Sequence, residues 1–85
     1  MGDLSMQEYI IDYEMFDVSE IIQIIEFFRL IESTSFKKID RDLLIFKYHE
    51  YQKILNNKSL EKKYDKMLYN KSKISIYKVM KNITH

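Results

Sequence analysis

Apolar residues recur along this chain at helical spacing, in four stretches separated by short polar breaks. The first stretch carries Val18, Ile21, Ile22, Ile24, Ile25, Phe27, Phe28, Leu30 and Ile31. Only Ser19, Gln23, Glu26 and Arg29 interrupt it, as a narrow polar strip. A helix that is apolar over most of its circumference has to lie inside the fold, so this one is predicted to be central. Ile21, Ile25, Phe28 and Ile31 are expected to be its most buried residues. Asp17 is a good N-cap, and Glu20 three residues later completes a capping-box pattern. Ser33 to Lys38 lacks the periodicity and reads as a loop.

Asp40 caps the next predicted helix, and Asp42 adds favourable charge to its first turn. Its stripe is Leu44, Tyr48, Tyr51 and Leu55, spaced as one helix face requires. Asn56-Asn57 ends it, because Asn tolerates the left-handed conformation common at helix C-termini. A third helix, from about Ser59 to Tyr69, places Leu60, Tyr64, Met67 and Leu68 on one face, and Asn70 to Ser75 breaks the pattern again. A short fourth helix turns Ile76, Val79, Met80 and Ile83 inward. Upstream, Tyr9 to Tyr13 reads as an extended arm, with Ile11 toward the core and Tyr9 and Tyr13 along its edge. The fold expected is all-α: a small irregular four-helix array around a central hydrophobic helix, with an extended N-terminal arm. It forms one domain over residues 9–83, and residues 1–8 read as a flexible N-terminus or a non-native extension. The terminal His85 reads as an added residue. The absence of Pro and the single Gly, Gly2, argue against a sheet protein built on tight turns.

A chain of 85 residues suffices for one domain, with a modest expected stability of about 3–6 kcal/mol. There is no Cys, so neither a disulfide nor a thiolate metal site supplements the core, and a reducing, cytoplasmic setting is expected. No apolar run approaches the length of a membrane span, and no signal-peptide pattern opens the chain. Asn57, Asn70 and Asn82 begin Asn-x-Ser/Thr triplets, which chance explains in a chain so rich in Lys and Asn.

Charge divides the sequence. Up to Phe36 there are eight acids against one base, a balance of −7; from Lys37 onward thirteen bases face five acids, a balance of +8. Lys58, Lys62 and Lys66, four apart, line one ridge of the third helix, with Lys71, Lys73, Lys78 and Lys81 close behind. One reading is a nucleic-acid surface. The other is a solvated face, with the basic half covering the acidic half. The second is preferred, because Glu61 and Asp65 interrupt the ridge and the bases are nearly all Lys, whereas Arg dominates base and phosphate recognition.

Little points to catalysis. His49 has no second His three or four residues away to share a metal. Asp40 and Asp42 fall at a helix start, where capping explains them, and Glu61 and Asp65 with their Lys neighbours suggest a salt-bridged helix face. A single Gly rules out a Gly-rich phosphate loop. No catalytic residue, cofactor or metal is expected. Seven Tyr and five Phe are many for this length. Tyr48, Tyr51, Tyr64 and Tyr69 fall near the inward stripes, whereas Phe36 lies in a loop and Phe46 off the Leu44–Tyr48 stripe. Exposed aromatics are contact candidates. The candidate partner contacts are therefore Phe36, Phe46, Lys58, Lys62 and Lys66.

Several segments carry a resemblance. Tyr9-Ile10-Ile11-Asp12 is similar to the N-terminal Tyr-Pro-Leu-Asp of Uncharacterised Protein Family 0223, small helical proteins of low-GC Gram-positive bacteria. Ile24-Ile25-Glu26-Phe27-Phe28, followed by Ile31-Glu32, resembles its Ile-rich helix with a double aromatic. Ile39-Asp40-Arg41-Asp42 resembles its Val-Asp-Arg-Glu, and Lys58-Ser59-Leu60-Glu61-Lys62 its Lys-Ala-Glu-Glu-Lys. Ser72-Lys73-Ile74-Ser75-Ile76-Tyr77 resembles the closing Ser-Gly-Tyr-Ser-x-Tyr. The chain departs where Ile10 and Asn56 replace Pro, Lys73 replaces Gly and Phe16 stands for Trp. The resemblance implies an irregular four-helix array and no activity. The function expected is a non-enzymatic interaction or regulatory module whose partner is another protein, with a nucleic-acid-associated protein as the alternative.

Overall fold

Asp17 starts the first helix as its side chain accepts from Glu20 N at 2.8 Å, while the Glu20 carboxylate accepts from Asp17 N at 3.0 Å. This capping box opens α1 (Val18–Ser33) in the computed structural model, which describes residues 9–84. The expectations for residues 1–8 and for His85 lie outside the described residues. Asp40 caps α2 (Arg41–Leu55) through Leu43 N at 3.0 Å, as its position predicts. Asn56 then ends α2 in the left-handed region at φ 50°, a value closed to proline, whose ring fixes φ near −65°. Asn57 caps α3 (Lys58–Ser72) through Leu60 N at 3.0 Å. The two asparagines thus divide the work, one stopping a helix and the other starting the next. Ser75 Oγ accepts from Lys78 N at the head of α4 (Ile76–Thr84).

No strand occurs among the described residues, so the all-α array is the fold observed. The third helix runs one turn longer than its sequence pattern predicts, since Asn70, Lys71 and Ser72 remain helical and the break narrows to Lys73–Ser75. The reason is tertiary: Lys71 and Ser72 both donate to Glu32 on α1, which holds the last turn against its weak local propensity. Lys73 ends α3 in the left-handed region at φ 62°.

α1 supplies more of the core than any other element, through Ile21, Ile24, Ile25, Phe27, Phe28 and Ile31. It is not buried all round, however: Val18 and Ile22 face solvent, because among the described residues no helix is laid over the outer side of α1. α1 packs along α2, and α2 also touches α3 and α4. The core of this cluster is aromatic. Phe27 stacks on Tyr51 at 4.6 Å, and Phe28 meets Tyr9, Tyr51 and Tyr64 at 5.2, 5.7 and 6.2 Å between ring centroids. Most of the unusual aromatic content is therefore packing. The arm contributes too. Ile11 is buried as predicted, but Tyr9 is buried with it rather than lying at the edge, because its hydroxyl finds Glu32 inside. Tyr13 is exposed. Tyr69, predicted near the inward stripe of α3, also faces outward, with the Lys73 ammonium 5.8 Å from its ring centroid.

Candidate functional site

Phe36 and Phe46 both point outward, at 75% and 58% exposure. Phe36 sits in the turn after α1, held by bonds from its own N–H to Ser33 O and from Lys37 N to the same oxygen. Phe46 lies on α2 one turn beyond Leu43, which is exposed as well, so the two share a face directed away from the core.

The three predicted lysines are likewise exposed and start from one end of α3, with Lys58 as its first residue. The structure brings them together along α3 but does not join them to Phe36 or Phe46. Lys58 and Lys62 border a groove of about 270 Å³ between α2, α3 and α4. Its walls are Tyr48, Glu61, Asp65, Ile76 and Tyr77, and Tyr51 forms its floor. Lys62 and Lys66 border a second, more open depression of about 330 Å³ beside Tyr69 and Lys78.

Glu61 and Asp65 do not form the salt-bridged face that their spacing suggests: among the described residues neither carboxylate lies within ion-pair distance of a lysine. Glu61 Oε1 instead accepts from Gln52 Nε2 at 3.3 Å, and Asp65 Oδ1 accepts from Ile76 N at 2.9 Å. Asp65 is thereby diverted to the positive end of α4, whose first N–H groups have no partner within the helix. Glu61 Oε2 and Asp65 Oδ2 are left without a partner among the described residues. Their charges act on the phenols opposite. Burial raises the Tyr48 and Tyr51 hydroxyls above the ordinary tyrosine value, and Glu61 and Asp65 push both further in the same direction. The inner part of the groove is electronegative, in spite of the lysines at its border.

The three buried tyrosines differ in one respect. Tyr9 donates to Glu32, and Tyr64 accepts from Asp12 N at 3.2 Å. The Tyr51 hydroxyl, on a residue only 2% exposed, has no hydrogen-bond partner among the described residues. A buried hydroxyl without a partner costs about 1–3 kcal/mol, so an arrangement that retains one calls for an explanation.

A second polar cluster joins the arm, α1 and α3. Glu32 Oε1 accepts from Tyr9, and Oε2 accepts from Lys71 Nζ at 3.1 Å and from Ser72 Oγ. Burial alone would raise the Glu32 carboxyl, but the bonds from Ser72, Tyr9 and Lys71, with the Lys71 charge, hold it below the usual glutamate value. Sequence reasoning treated Glu32 as one acid among eight. The available signal was its register, since Glu32 continues the Ile21–Ile25–Phe28 stripe and a carboxylate on an inward stripe needs a partner.

Candidate chemistry elsewhere is sparse. His49 is exposed beside the Tyr48 ring. Asp40 is occupied as a cap. Among the described residues no three His, Cys, Asp or Glu side chains converge as a metal site, and no helix is long and apolar enough to cross a membrane.

These features define a small all-helical protein whose polar groups serve caps, a half-buried glutamate cluster and one tyrosine-floored groove. The chain belongs to the uncharacterised protein family UPF0223, whose family model matches residues 6–85. It is similar to a UPF0223 protein of Oceanobacillus iheyensis, 35% identical over 68 residues that span 80% of this chain and 77% of the relative. No solved structure matches the chain.

Proposed function

We propose that this protein is a non-enzymatic, cytoplasmic interaction module that docks on another protein through the Phe36–Phe46 end of the α1–α2 hairpin. The observation that carries this reading is the exposure of two phenylalanines in a domain whose other aromatic rings mostly pack together. Phe36 stands on the loop that leads into α2, and Leu43 and Phe46 are exposed together on one face of the first turns of that helix. Large apolar side chains grouped in this way cost solubility and gain affinity only when a partner covers them.

The lysines of α3 support a nucleic-acid partner less well. Glu61 and Asp65 lie between them with carboxylate oxygens unpaired, and these repel phosphates along the same ridge.

Affinity capture tests the reading in the native lysate of the bacterium that encodes the protein. The wild type should recover one stoichiometric protein, and Phe36→Ser with Phe46→Ser should lose it while keeping the helical circular dichroism and melting temperature. Retention of the same protein by the double variant, or recovery of nucleic acid instead, would overturn the proposal.

A further inference from the structure

The groove between α2, α3 and α4 shares no residue with the Phe36–Phe46 face, and it has its own chemistry. Three features meet there. The first is a set of hydrogen-bond acceptors without donors among the described residues: Glu61 Oε2, Asp65 Oδ2 and the hydroxyl oxygen of Tyr51. The second is aromatic surface from Tyr48 on α2 and Tyr77 on α4, which both line the groove. The third is size, since about 270 Å³ holds a single side chain or a small molecule and falls below the usual range for a large ligand.

We infer that this groove is a binding site for a guanidinium group, held by Glu61, Asp65 and the Tyr51 hydroxyl and flanked by the rings of Tyr48 and Tyr77. A guanidinium presents five N–H donors in a plane and no acceptor, the complement of an acceptor-rich floor. Its weak hydration lowers the cost of leaving water, and its flat faces stack on tyrosine rings. Tyr77 already takes a cation in this way, with the Lys81 ammonium 5.7 Å from its ring centroid. The field at the Tyr51 hydroxyl agrees, because the two carboxylates, not the lysines, dominate it. Lys58 and Lys62 are exposed at the border, where solvent screens them, and they suit an anionic group carried further along the same ligand. A hard divalent ion fits less well, since it takes six or more oxygen ligands and gains nothing from aromatic walls.

Two sources offer this chemistry, an arginine side chain of a bound protein and a free guanidino compound. The experiment separates them by NMR. Isotope-labelled protein is titrated with an acetylated, amidated Gly-Arg-Gly peptide, with agmatine, and with the matching citrulline peptide, which has the same shape and no charge. Ionic strength is balanced with sodium chloride throughout. Saturable shifts confined to Tyr51, Glu61, Asp65, Ile76 and Tyr77 are expected from the arginine peptide or agmatine, and none from the citrulline peptide. The tighter binder of the two identifies the source, and either result supports the site. Glu61→Gln should weaken binding about tenfold or more, and Tyr51→Phe about threefold, as the loss of a charged and a neutral hydrogen bond implies. Tyr51→Phe should fold at least as stably as the wild type, because it removes an unpaired buried hydroxyl. The inference fails if no guanidinium compound gives saturable shifts by about 10 mM. It also fails if the citrulline peptide binds equally, or if Glu61→Gln and Tyr51→Phe leave binding unchanged.

Discussion

Tyr9 donates its hydroxyl hydrogen to Glu32 Oε1 across 2.7 Å, and this bond fastens the arm to the last turn of α1. The other Glu32 oxygen holds the end of α3, so one carboxylate joins three segments that share no local pattern. With its pKa lowered on folding, Glu32 binds fewer protons in the native state than in the unfolded chain. Its stabilising contribution is therefore present above the unfolded glutamate value, near 4.5, and is lost as pH falls through the lower folded value. Glu32→Gln should cost about 1.5–3 kcal/mol at neutral pH, as expected for hydrogen bonds to a charged group. It should also flatten the acid limb of stability. Urea melts from neutral to strongly acid pH check both, and parallel acid limbs for the two proteins would contradict the assignment.

Phe28 is fully buried and touches rings from the arm, α2 and α3. Phe28→Ala should cost about 3–5 kcal/mol, close to the whole expected stability of a domain this small. The variant should lose its cooperative melt by circular dichroism. Phe36→Ala, at an exposed position, should stay within about 0.5 kcal/mol of wild type. Equal effects of the two would remove the basis for the core described.

Lys73 occupies the left-handed region at φ 62°, a conformation that costs a residue with a Cβ about 1–2 kcal/mol. Glycine avoids that cost but loses more backbone freedom on folding, by about 0.5–1 kcal/mol. Lys73→Gly should therefore stabilise the protein by up to about 1 kcal/mol, or about 4–8 °C in melting temperature for a domain of this size. A lower melting temperature would mean that the Lys73–Tyr69 contact outweighs the backbone term.

The helices were legible because their signals are local. Asp17 with Glu20, Asp40 and Asn56 mark ends within three residues of where each acts, and a stripe such as Leu44–Tyr51–Leu55 needs only one helix to be read. The Phe36 and Phe46 exposures were legible for the same reason, as breaks in a local pattern. The burial of Tyr9 was not, since an arm has no period to betray which side faces inward. The groove was hidden more deeply. Glu61 and Asp65 look like partners for the lysines one to three residues away, and only the packing of α4 against α3 shows Asp65 turned to Ile76 N. Tyr51 reads as one more stripe residue until its hydroxyl is seen to be unmatched. Those facts depend on three helices meeting, and sequence spacing within one helix carries no trace of them.

The lysine face gives the test that separates the two classes of partner. If Lys62, Lys66, Lys73, Lys78 and Lys81 neutralise phosphates together, affinity for an oligonucleotide should fall with salt at a log–log slope of about −0.7 to −0.9 per contact. Several features of the surface oppose this. The Lys73 and Lys81 ammoniums lie over the rings of Tyr69 and Tyr77. Glu61 and Asp65 place unpaired carboxylate oxygens beside Lys62. Arg41, one of two arginines in the chain, donates to Ile83 O at 2.6 Å and is committed to holding α2 against the end of α4. The expected outcome is binding of about 10⁻⁴ M or weaker near physiological salt, indifferent to sequence. Fluorescence anisotropy with labelled single- and double-stranded oligonucleotides across a salt series measures it. A sub-micromolar complex at about 0.15 M salt, abolished by Lys62→Glu with Lys66→Glu, would show that the carboxylates do not govern this face and that its partner is a nucleic acid.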